Sequence, residues 1–166
     1  ELLTKKPDSI TYHFEYANDI FGYLYNSDEG TVIKNKAELT NILGEQLQLG
    51  LKINPDDVKT NWLTSQYHYN LGIETRDEAT KIKGTQPTDV KKKSDLNAAA
   101  VAHFKDAIPY ANKAIVKLEN EKKKSEKSDY KSITNLMQNI YQSLGDKANL
   151  KIYQDKYDNA DKIFVD

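Results

Sequence analysis

Apolar residues recur at intervals of three and four along most of the chain, which is the helical period. No alternating strand pattern or two-residue hairpin turn interrupts them. Six helices follow from this pattern. The first is predicted over about residues 9–25, started by Asp8 or Ser9, whose side-chain oxygen can accept a free first-turn amide. NSDEG (residues 26–30) is a loop by its turn chemistry. The second helix, about 36–53, places Leu39, Leu43, Leu47, Gly50 and Leu51 on one stripe. Asn54-Pro55-Asp56-Asp57 ends it and starts the third, because Pro is tolerated in a first turn and Asp favours the positive helix end. That helix runs to about Lys81 and is followed by the loop GTQPTD at 84–89. A long fourth helix covers about 89–122 and contains Pro109. A lost amide and a ring clash, costing about 3 kcal/mol in an ideal helix, predict a kink or break near Ile108. The fifth helix spans about 128–144, Gly145-Asp146 forms a turn, and the sixth spans about 147–164.

One phrase occurs twice in this pattern: KPDSITYHFEYANDIFGYL from Lys6 and NPDDVKTNWLTSQYHYNLG from Asn54. Aligning Pro7 with Pro55 pairs Asp8 with Asp56, Ile10 with Val58, Phe14 with Trp62 and Ala17 with Ser65. A Pro-Asp start with an aromatic and then a small residue at fixed offsets is a helix-start and helix-packing pattern. Its recurrence implies stacked copies of one unit, and folds of that kind commonly bind other proteins. Pro55 to Gly72 spans 72 − 55 = 17 residues, and the same distance back from Gly145 gives Ser128. Gly72 and Gly145 both follow a Leu and are expected to be equivalent turns.

Composition narrows the function classes. The 166 residues, 38% hydrophobic and 30% charged, suit a soluble, somewhat polar protein, as an elongated shape would require. A net charge of −1 gives no global attraction to nucleic acid or to an anionic membrane. No apolar run approaches the roughly 18 residues of a membrane span. Cysteine is absent, which removes disulfides, thiolate metal sites and a Cys nucleophile, and leaves the compartment open. The first residue is Glu1, so the sequence is expected to be a processed or excised piece whose address signal is missing. The lysine runs at 91–93 and 122–124 read as solvated helix ends. Glu119, Glu121 and Glu126 interleave with the second run and argue against a phosphate-binding patch.

The sequence holds no glycine-rich phosphate loop, GxSxG elbow or HExxH. His13, His68 and His103 fall one per helix, without a His or Cys partner at metal spacing, and are expected to be packing or surface residues. Asp155, Asp158 and Asp161 lack the turn glycine and closing Glu of a calcium loop and read as a solvated face. An acid–base carboxylate pair could still be assembled from different helices. No catalytic residue, metal site or cofactor is expected.

The residues at this point resemble the tetratricopeptide repeat, a helix–turn–helix unit of about 34 residues. Tyr16-Ala17 stands at the family's Leu-Gly pair, positions seven and eight, in the first unit. Gly72 takes the turn glycine of the second unit, and Tyr141 with Gly145 the matching pair of the third. On second helices, Ala100, Phe104 and Ala107 fit the small–aromatic–small pattern, while Ala107, Ala111 and Ala114 form a rival register. The units are about 7–54, 55–127 and 128–166; the third departs from the pattern in having Met137-Gln138 where the family has Leu-Gly. The resemblance implies an all-α, right-handed superhelix of about three antiparallel helix pairs forming one domain with elongated central helices. It also implies a bacterial origin, with export favoured.

The same resemblance implies a concave groove lined by first helices. Its positions here are Thr11, Phe14, Asn18 and Phe21; then Lys59, Trp62, Gln66 and Tyr69; then Ser132, Asn135, Asn139 and Gln142. Amides there can bond both donors and acceptors of an extended peptide while aromatics anchor its side chains. The subclass that clamps a C-terminal carboxylate is disfavoured, since Phe14 stands where its Lys would be and Ser132 and Leu136 replace later basic positions. The leading expectation is a non-enzymatic scaffold for an unidentified protein or peptide. The alternative is an assembly module continuing into a larger chain or a homo-oligomer, which an exposed apolar face of Tyr157, Ile163 and Phe164 would favour.

Overall fold

The two copies of the repeated phrase start their helices in the same way. A computed structural model describes residues 8–28 and 30–165. Among these residues the protein is all-helical, without a strand: α1 (Ile10–Tyr25), α2 (Lys36–Ile53), α3 (Val58–Lys81), α4 (Pro87–Glu121), a 3-10 turn (Lys124–Glu126), α5 (Lys127–Leu144), α6 (Lys147–Asp158) and α7 (Ala160–Ile163). Ser9 caps α1, its hydroxyl accepting from the Tyr12 N–H. Asp57 caps α3, its carboxylate accepting from the Thr60 N–H at 2.8 Å and the Thr60 hydroxyl at 2.6 Å. Each cap lies two positions after a phrase proline, so the internal alignment places both in register. Pro7 itself lies outside the described residues. Pro55 sits in the turn before the cap rather than in the first helical turn as expected. Its carbonyl and that of Asp57 instead receive the Asn61 side-chain amide, at 2.9 and 2.8 Å.

The chain forms two compact units, Glu1–Thr64 and Ser65–Asp166, divided within α3. In the first, α1 and α2 form a hairpin whose buried faces carry Ala17, Ile20, Phe21 and Leu24 on one side and Leu43, Leu47 and Gly50 on the other. His13 is buried and bonds Gln46 through Nδ1 at 2.7 Å, which ties the start of α1 to α2. Gly50 faces Thr60: a Cβ there would lie 3.2 Å from the Thr60 methyl.

In the second unit, α4 supplies one continuous buried stripe: Ala100, Phe104, Ala107, Ala111, Ala114, Ile115 and Leu118. The two rival alanine registers of the sequence are therefore neighbouring parts of a single face. Pro109 does not break α4, which runs unbroken from Pro87 to Glu121 with Pro109 exposed. A proline pointing to solvent removes one helical hydrogen bond without crowding the buried side. On that buried side Ser65 Oγ donates to the Ala107 carbonyl at 2.9 Å. Glu119 of α4 accepts from the Tyr130 hydroxyl of α5 (2.7 Å) and from Lys156 of α6, so one carboxylate joins three helices. Burial, with Glu119 adding to it, pushes the Tyr130 phenol well above its ordinary range.

Gly72 corrects the expected equivalence with Gly145. Gly145 is a left-handed helix cap (φ 72°), and the Asp146 N–H reaches back to the Tyr141 carbonyl at 2.9 Å, a closure suited to glycine. Gly72 instead lies inside α3, with the Phe104 ring pressed against it: a Cβ would fall 2.6 Å from Phe104 Cε1. One glycine is needed for its φ and the other for its missing side chain. The sixth predicted helix is also divided, ending at Asp158 and resuming over Ala160–Ile163 after Asn159.

Asp146 starts α6, its carboxylate accepting from the Asn149 N–H (3.0 Å) and side-chain amide (2.7 Å). These bonds, the backbone one first, hold its carboxyl below the usual aspartate range. A depressed folded pKa contributes stability that is present above the unfolded value of about 3.9 and lost as pH falls through the folded pKa. Asp146→Ala is therefore expected to lower the thermal midpoint at pH 7. The gap from the unsubstituted protein should shrink as pH falls below about 4. Melting curves at pH 7, 4 and 2.5 check this, and a gap independent of pH would contradict it.

Candidate functional site

The first-helix positions differ in accessibility. On α1, Thr11 and Asn18 are exposed and Phe14 is half-buried, while Phe21 is turned into the hairpin core against Tyr25 (ring centroids 4.9 Å). Lys59 is exposed with its Nζ 6.0 Å above the Phe14 ring, so two of these positions meet within the first unit; Trp62 is half-buried. In the second unit Gln66 and Tyr69 are half-buried, Ser132, Asn135 and Gln142 are exposed, and Asn139 is half-buried.

The α5 positions follow from its helical period. Tyr130, Ile133, Met137, Ile140 and Tyr141 are buried, which turns Ser132, Asn135, Asn139 and Gln142 towards solvent along another stripe. Among the described residues, the side chains of Gln66, Asn135, Asn139 and Gln142 enter no hydrogen bond. Arg76 draws α3 alongside the end of this stripe: its guanidinium donates to the Ser143 carbonyl at 2.8 Å and stacks on Phe104 at 4.5 Å. Tyr69 lies 5.7 Å from the Phe104 ring. Burial raises the Tyr69 phenol pKa, opposed by Arg76 and by a hydrogen bond to Ser143. The outcome is a polar stripe beside a rigid aromatic–guanidinium anchor, all within one compact unit.

The apolar end face considered for self-assembly is largely spent inside the unit. Phe164 is buried against Tyr130 (5.0 Å) and Ile163 is half-buried; Tyr157 is exposed, with Lys131 5.5 Å from its ring.

The expected isolation of the histidines is corrected for two of them. One ring nitrogen from each of His68 and His103 and a carboxylate oxygen of Asp106 all lie within 4.8 Å of one another. His103 and Asp106 are three apart on α4 and so share a face, which was visible in the sequence. His68 comes from α3, and only the packing of α3 on α4 brings it near. Its ring stacks on Tyr110 (5.6 Å, 4° between planes) and meets Tyr67 edge-on at 5.2 Å. Burial lowers the His68 pKa; Asp106 opposes this and His103 adds to it. No family model matches the chain, and no curated protein and no solved structure matches it.

Proposed function

We propose that this chain is a non-enzymatic, bacterial helical-repeat scaffold of tetratricopeptide type that binds an extended peptide segment of a partner protein. Its three helix pairs are read as repeats of one right-handed superhelix. Support for that comes from the paired caps at Ser9 and Asp57 and from the small–aromatic–small face at Ala100, Phe104 and Ala107. The binding reading rests chiefly on the amide stripe of α5, where Asn135, Asn139 and Gln142 present donors and acceptors that no neighbour uses among the described residues. An extended peptide offers alternating N–H and C=O groups, which side-chain amides match in both senses. Tyr69, already oriented at the Phe104 anchor, adds an apolar surface for a peptide side chain.

Panning a displayed library of unstructured peptides against the whole protein supplies the ligand for a test. Asn139→Ala with Gln142→Ala removes two hydrogen-bonding side chains, each worth about 0.5–1.5 kcal/mol. Affinity for the selected peptides is expected to fall about 5- to 150-fold. Asn97→Ala, on an exposed part of α4, should leave it unchanged. Equal affinity of the double variant and the unsubstituted protein would remove α5 from the binding site.

A further inference from the structure

We propose that His68, His103 and Asp106 form a binding site for a divalent transition-metal ion of the zinc class, a property separate from peptide binding. Three observations carry it. The three potential ligand atoms lie within 4.8 Å of one another. Zinc bonds of about 2.0–2.2 Å in tetrahedral geometry place ligand atoms about 3.3–3.5 Å apart, so closure requires movements of up to about 1.5 Å, within reach of side-chain rotation. Asp106 is exposed and is the freest of the three to make that movement.

The second observation is that the Nδ1 atoms of His68 and His103 are both buried and, among the described residues, have no hydrogen-bond partner. Buried polar nitrogens are normally satisfied, so two histidines of one cluster that each carry an unsatisfied ring nitrogen have nitrogen lone pairs or N–H groups that no protein group uses among the described residues. Packing offers a competing reason for their burial. It does not explain why the carboxylate of Asp106 converges on the same point.

The third observation is that the elements carrying the ligands are fixed relative to each other. Ser65, one turn before His68, donates to the Ala107 carbonyl next to Asp106, and the His68 ring plane is set by stacking on Tyr110. A site built on anchored helices loses less freedom on binding than one built on loops. Two imidazoles and a carboxylate suit zinc, nickel, copper or iron rather than calcium or magnesium, which take oxygen ligands. Three protein ligands with an exposed third member leave a coordination position for water.

Calorimetric titration of the metal-stripped protein with Zn²⁺ tests the site. One ion per chain is expected, with no comparable heat from Ca²⁺ at the same concentration. His103→Gln and Asp106→Asn should each weaken binding by at least about tenfold, and Asp95→Asn, an exposed acid on the same helix, should not. Asp106 is on the surface, so its variant keeps the test usable if His103→Gln unfolds. Proton spectra of the unsubstituted protein give a second readout: Zn²⁺ should shift the ring signals of His68 and His103 and leave those of His13. Absence of a one-to-one zinc event, an equal calcium response, undiminished binding by Asp106→Asn or a shift confined to His13 would each overturn the proposal.

Discussion

Phe104→Ala is expected to destabilise the protein by about 3–5 kcal/mol, the range for emptying a fully enclosed aromatic site. Phe104 is 0% exposed and is enclosed on three sides. Gly72 offers only backbone, Tyr69 contributes a ring at 5.7 Å, and Arg76 lies 4.5 Å over the face while bonded to the Ser143 carbonyl. The guanidinium also loses a cation–π partner worth about 0.5–2 kcal/mol, part of the same total. Domains of this size commonly have only about 5–15 kcal/mol of stability, so the variant should be near unfolding at 37 °C. Urea denaturation reads the effect as a lowered midpoint with an unchanged slope. A loss below about 1 kcal/mol would mean that the ring is not the centre of this core.

Gly72→Ala should not show the gain of an ordinary helical Gly→Ala change. Within a helix that substitution is normally favourable by about 1 kcal/mol. Here the new methyl would lie 2.6–2.9 Å from three atoms of the Phe104 ring, which is fully buried and cannot swing away. Overpacking of that kind costs about 1–3 kcal/mol, which cancels the helical gain or exceeds it by up to about 2 kcal/mol in the full protein. In the Phe104→Ala background the clash is gone and the same change should be neutral or stabilising. A double-mutant cycle is therefore expected to give a coupling of about 1–3 kcal/mol. Additive effects would show that Gly72 and Phe104 do not meet.

This pair also marks where the sequence stopped being informative. The helices were legible because three- and four-residue periodicity and cap chemistry are local, and Ser9, Gly145 and Asp146 act on their own neighbours. Gly72 is ambiguous in the sequence because a glycine after Leu can end a helix or admit a ring from another helix; only the position of Phe104 decides which. At Pro109 the sequence leaves a break and a continuous helix both open, and α4 continues through it. The amide stripe of α5 could be named from register alone, and what packing added was Arg76 holding α3 beside it. The histidine cluster was half visible: His103 and Asp106 share a helix face by spacing, whereas His68 arrives through a contact between helices.

The proposed peptide-binding face is tested most directly by amide chemical-shift mapping of the labelled protein with a peptide selected from the displayed library. Binding on this face predicts the largest changes at Ser132, Asn135, Asn139 and Gln142 and at Tyr69, with the Asn139→Ala, Gln142→Ala double variant losing them at the same peptide concentration. Largest changes on α1, α2 or α6, or a library that yields no binding peptide, would contradict it.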